Sequence, residues 1–220
     1  MARFELDADW VVAAWAALAV ALLAIAWRFG RRIFLHQGLL LGAAALARGS
    51  LHNFYERSYF PAPFWLSRGL TVGVAVALLF AALPFAFQLR RPPETYAGTG
   101  RGPLARVFGA FERRPEQVFF FIPFFLLTIL LALEMRKGLV TVVWGVEAVG
   151  VFIFALWVSQ RSYRLSGLAL LLICVGKIVV LDVWGLHPRD RYLTFIVLGV
   201  ALLGVSFLYT RFREAIRQYL

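Results

Sequence analysis

The sequence predicts an all-α polytopic membrane protein with seven transmembrane helices in a 3+1+3 parallel repeat, N-terminus outside and C-terminus cytoplasmic. Three observations carry this. Of 220 residues, 61 % are apolar and only 16 % charged, which is not the balance of a soluble domain. Apolar runs long enough to cross ~30 Å of hydrocarbon recur seven times. Residues 10–53 also fall on 139–182 at a constant offset of 129.

The first run, 10–28, follows a flank in which Arg3 stands against Glu5, Asp7 and Asp9. That is the reverse of a basic signal-peptide n-region, so the span is expected to remain in the mature chain. Runs at 33–54 and 64–89 complete a first three-helix repeat, 1–89. The stretch 90–116 opens Arg90-Arg91-Pro92-Pro93 and passes Gly98, Gly100 and Gly102, a flexible pattern. Beyond Pro103, the apolar residues Leu104, Val107, Phe108 and Phe111 recur at helical spacing. They predict a short amphipathic helix on the inner leaflet, with Arg106, Arg113 and Arg114 as its lipid contacts. A solvated basic linker is the alternative. Run 117–135 is then a linking helix that restores the orientation. Runs at 139–158, 166–184 and 192–210 form the second repeat, 136–220.

Orientation follows from the cations beside span ends. Fourteen lie on the set of turns that includes 28–32, 90–114, 161–164 and the C-terminal tail, against six on the opposite set. The richer set is assigned to the cytoplasm. The net charge of +11 is scattered around apolar runs rather than gathered on a polar module, so nucleic acid is not an expected partner. The single cysteine, Cys174, excludes an internal disulfide and any metal site built on several thiolates.

Nine of the 44 positions paired by the repeat are identical. The weight rests on Trp15 with Trp144, Arg32 with Arg161, Gly38-Leu39 with Gly167-Leu168, Arg48 with Lys177, and Asn53 with Asp182. After a six-residue difference, Arg68 falls on Arg191. Parallel repeats occur in transporters, although duplication is also a simple way to bury helix surface.

The stretch Arg164-Leu165-Ser166-Gly167-Leu168, then Lys177, Leu181-Asp182, Arg191, Leu198-Gly199-Val200 and Tyr209 resembles the C-terminal region of the bacterial predicted membrane proteins called DUF2339. The Trp144 helix with Glu147 is also similar. The resemblance implies a multi-pass protein of the bacterial inner membrane whose larger relatives carry more spans of this kind. It implies no chemistry.

Ionisable groups at bilayer depth are functional-site hypotheses by default. Glu147 lies ~12 Å into its span and Lys177 ~10 Å into the next, which predicts a Glu147–Lys177 pair. Arg48, Arg68, His52, Asp182 and Arg191 are candidates for an outer anion or headgroup site, the alternative being structural ion pairs or snorkelling cations. His36, His52 and His187 sit at span ends or in loops and predict no metal site. No catalytic motif is present, and no catalytic residue or cofactor is assigned. Membrane lipids and other membrane subunits are the expected partners. The readings, in order, are an accessory or scaffold subunit, a transporter or lipid-handling protein, and an intramembrane enzyme.

Overall fold

The computed structural model describes residues 7–55, 67–90, 109–135, 139–178 and 188–211, and all regular structure among them is helical. The helices are α1 (Val11–Phe29), α2 (Arg32–Arg48, running on through a π-helical turn, Gly49–Asn53), α3 (Arg68–Ala81), α4 (Leu83–Gln88), α5 (Pro115–Glu134), α6 (Val140–Val158), α7 (Arg161–Lys177) and α8 (Pro188–Arg211). Among the described residues, four helical stretches are long and apolar enough to cross a membrane: α1, α3 with α4, α5, and α6. By contrast α2 and α7 have 17 residues each and a cation at either end.

The chain forms two compact units, Met1–Leu133 and Glu134–Leu220. In the first, α1 buries Val12, Ala16, Ala19, Leu23 and Ala26, a stripe at alternating four- and three-residue steps that keeps one face inward. That face meets α2 and α3. Gly30 turns the chain from α1 into α2 in the left-handed region (φ 66°), where a residue without Cβ is unstrained. Helix α5 packs on α2, with Phe119 and Ile122 over Gly42 and Leu126 over Gly49. Phe120 meets Phe80 of α3 edge-on at 6.2 Å.

The span expected at 64–89 is the helical stretch Arg68–Gln88, interrupted only at Ala82 between α3 and α4. Pro84 explains the break, because it has no N–H to donate four residues back and its ring crowds that carbonyl. The amphipathic helix expected after Pro103 lies outside the described residues as far as 108, and 109–113 are helical. Helix α5 carries Pro123 in its interior and is still continuous.

In the second unit, α6 turns into α7 through Ser159, which adopts φ 57° despite its Cβ. The Gln160 amide closes back on Ala155 O at 3.2 Å, a Schellman-type end that holds the strained residue. Tyr163 is fully buried and stacks on Phe154 at 6.2 Å, Cys174 is buried, and α8 packs on α6. The two hairpins share their dimensions: α1 and α6 have 19 residues, α2 and α7 have 17. Their left-handed residues, 30 and 159, are separated by the same 129 positions.

Each hairpin closes on a glycine, and the two differ in tolerance. A Cβ at Gly167 would stand 2.9 Å from Ala148 O and 3.1 Å from Phe152 N, both backbone atoms. A Cβ at Gly38 would meet mainly the movable end of Leu23. Gly167→Ala should therefore destabilise the protein by about 1–3 kcal/mol and Gly38→Ala by clearly less, as measured by thermal unfolding in detergent. Equal melting temperatures for the two variants would contradict this packing.

Candidate functional site

Because α1 and α2 run antiparallel about Gly30, the start of α1 and the end of α2 lie together at the opposite end of the first unit. Helix α3 begins there as well. Apolar spans gather three buried polar residues at this point, Asp9, Asn53 and Thr71. The Asn53 amide Nδ2 donates to Asp9 O at 3.1 Å and to Thr71 Oγ1 at 3.2 Å. The Thr71 hydroxyl donates to Ser67 O at 3.1 Å, and Ser67 Oγ accepts from Leu70 N at 3.4 Å as the cap of α3. Arg48 Nη2 donates to Ala8 O at 3.0 Å. His52 Nε2 lies 3.5 Å from Asp9 Oδ1.

The π-helical turn is what gathers them. Phe54 N donates to Gly49 O, five residues back, at 3.0 Å. With α-helical pitch Asn53 would lie about 140° round from Arg48. The wider turn brings it towards the same face, where both side chains reach consecutive carbonyls of residues 8 and 9. Such turns are frequent at functional sites.

In the second unit, Lys177 Nζ donates to Thr141 Oγ1 at 2.7 Å. Lys177 occupies the position 129 residues after Arg48, and each cation reaches the start of the first helix of its own unit. Glu147 is buried in α6, six residues or ~9 Å along the helix from Thr141.

Arg48 and His52 are thus brought together in the first unit, and Arg68 opens α3 at the same end. Asp182 lies outside the described residues, as does the side chain of Arg191, whose backbone is in α8. At the Gly30 end of the first unit, Arg90 Nε lies 3.5 Å from the buried Glu116, and His36 Nε2 lies 3.4 Å from Glu112 Oε1. Arg113 Nε donates to Gly109 O at 3.0 Å, Arg114 sits between 109–113 and α5, and Arg106 lies outside the described residues. Among the described residues no group of three or more His, Cys, Asp or Glu could hold a metal.

Sequence reasoning missed Asp9 and Thr71 as members of the site, and took Asn53 only as a repeat position. The available signal was small polar residues at the ends of three apolar runs, which had to be brought to one level before they could be grouped.

In the first unit, α1, α2 and α3 are thus tied at one level by groups that water would otherwise serve. Residues 129–212 match DUF2339, a family of predicted membrane proteins. The match to DUF2339 takes in α6, α7 and α8, and it accords with the resemblance carried by Arg164 to Tyr209. No curated protein matches the chain, and no solved structure does. With DUF2339 and its apolar helices, the chain is an integral membrane protein.

Asn53 makes two bonds from inside the unit, so Asn53→Ala should destabilise by about 1–3 kcal/mol, and Thr71→Val by about 1 kcal/mol. The two losses should be less than additive, because each removes the same Asn53–Thr71 bond. Unfolding of the single and double variants in detergent measures this, and strict additivity would mean the bond contributes nothing.

Proposed function

We propose that this chain is an accessory or scaffold subunit of a bacterial inner-membrane complex. The observation that carries the reading is that polar side chains near the helix ends are engaged within their own unit. Arg48 is held on Ala8, Asn53 on Asp9 and Thr71, and Lys177 on Thr141. A transport site needs groups free to exchange partners with a cargo, whereas a scaffold needs struts. A second reading, transport or lipid handling at a polar outer site including Arg48, His52, Arg68, Asp182 and Arg191, draws on two atoms. Arg48 Nε and Asn53 Oδ1 are buried with no hydrogen-bond partner.

The accompanying architecture is seven spans in two parallel three-helix repeats, with the linking helix at 117–135. What supports duplication is the equal helix lengths, the paired left-handed residues and the paired glycines, all at one offset. The cations at 28–32, 90–114 and 161–164 support a cytoplasmic placement of those turns, where Arg106, Arg113 and Arg114 would meet the inner leaflet. Glu147 and Lys177 are the proposed charge balance of the second unit.

Purification in mild detergent followed by native mass spectrometry tests the role: a stoichiometric protein partner is expected, and a lone chain that moves lipid or solute in vesicles would replace the scaffold reading with the second. A cysteine placed at Ala97 should resist an impermeant label in intact cells, and labelling there would reverse the topology. Lys177→Met should lower folded yield, since a buried charge without its balance is destabilising by several kcal/mol. Adding Glu147→Gln should recover much of the loss, and a double variant as poor as the summed singles would dissolve the pair.

A further inference from the structure

The α1–α2 turn keeps an exposed surface that the scaffold reading does not use, although one side of Trp27 packs on Phe85 at 5.8 Å. Its sequence, Trp27-Arg28-Phe29-Gly30-Arg31-Arg32-Ile33, contains three guanidiniums and no acid. Trp27, Phe29 and Ile33 are 48 %, 68 % and 60 % exposed, and Arg28 and Arg31 are exposed between them. The Arg28 guanidinium carbon lies 5.9 Å from the centre of the Phe29 ring, so the charge rests on an aromatic face rather than on a carboxylate. Arg31 precedes α2 at its N-cap position without a side-chain capping bond, and the first turn holds no acid, so the helix dipole adds to the same positive field.

Apolar rings and cations alternating on one exposed turn need a partner that is apolar on one side and anionic on the other. Water satisfies only the cations, and the hydrocarbon interior only the rings. The headgroup layer of an anionic bilayer satisfies both, because indole and phenyl groups settle at that depth while guanidinium binds phosphate through paired N–H donors. We propose that the α1–α2 turn is a contact site for the headgroup of an anionic phospholipid, with Arg28 and Arg31 on the phosphate and Trp27, Phe29 and Ile33 among the upper acyl chains. The proposal depends on the chain being embedded in a membrane and is independent of the scaffold role, since its test reads bound lipid and not a protein partner.

Native mass spectrometry of the full chain released from vesicles of equal phosphatidylglycerol and phosphatidylcholine supplies that test. The wild-type protein should retain phosphatidylglycerol in preference to phosphatidylcholine by roughly tenfold or more, given two exposed cations at headgroup depth. Arg28→Gln with Arg31→Gln should abolish most of that preference, with the melting temperature in phosphatidylcholine unchanged because both side chains are exposed. Should the double variant fold poorly, raising salt on the wild-type protein provides the second measurement, and the preference should fall as the charges are screened. Equal retention of the two lipids, or a preference that survives both the double substitution and high salt, would overturn the assignment. Displacement of phosphatidylglycerol by millimolar inorganic phosphate would assign the turn to a free anion instead, and so overturn the lipid as its source.

Discussion

In a bilayer the surrounding lipid is as apolar as the helices, so what holds two spans together is how closely their backbones approach. At Gly167 that approach leaves Ala148 O and Phe152 N no room for a methyl group, and in the first unit Gly38 sits against α1 in the corresponding place. The rest of each hairpin follows from this contact. A single crossing point sets the level at which α2 ends beside the start of α1, and α7 beside the start of α6. The turn must then be short and must reverse sharply, which places a left-handed residue at 30 and at 159. Ser159 tolerates that conformation only because the amides on either side are bound back to α6.

Once the level is set, polar chemistry is confined. A buried amide or guanidinium in hydrocarbon costs more than in a soluble core, because no water can take over its bonds. The donors of Asn53 and Arg48 therefore settle on the carbonyls of residues 8 and 9, and Lys177 settles on Thr141. Thr71 links α3 into the same network by accepting from Asn53 and donating to Ser67. A tie between helix ends of this kind fixes the vertical register of three helices without requiring an ion pair at the centre of the membrane.

Much of the fold was legible because membrane spans are written in long runs with one physical cause. The boundaries of α1, α5 and α6 fell within a residue or two of the apolar runs 10–28, 117–135 and 139–158. The run 64–89 held as the stretch Arg68–Gln88, but its interruption at Ala82 was not legible, since a hydropathy run is blind to one missing N–H, although Pro84 stood in plain view. The site was less legible. Arg48 and His52 drew notice by their charge, whereas Asn53 and Thr71 are neutral and short, and Asp9 lay in a flank. What unites them is a π-helical turn, and neither composition nor periodicity distinguishes such a turn from the α-helix around it.

Cys174 lies in α7, is buried, and is the one thiol in the sequence. A thiol reagent can reach it only when the packing around α7 opens, so the rate at which the native protein becomes labelled measures how often that opening occurs, in the same way that amide exchange reports local opening. The protein thus contains its own clock for the loosening of one helix within the membrane, readable without adding a dye-bearing residue or altering any contact that holds it in place.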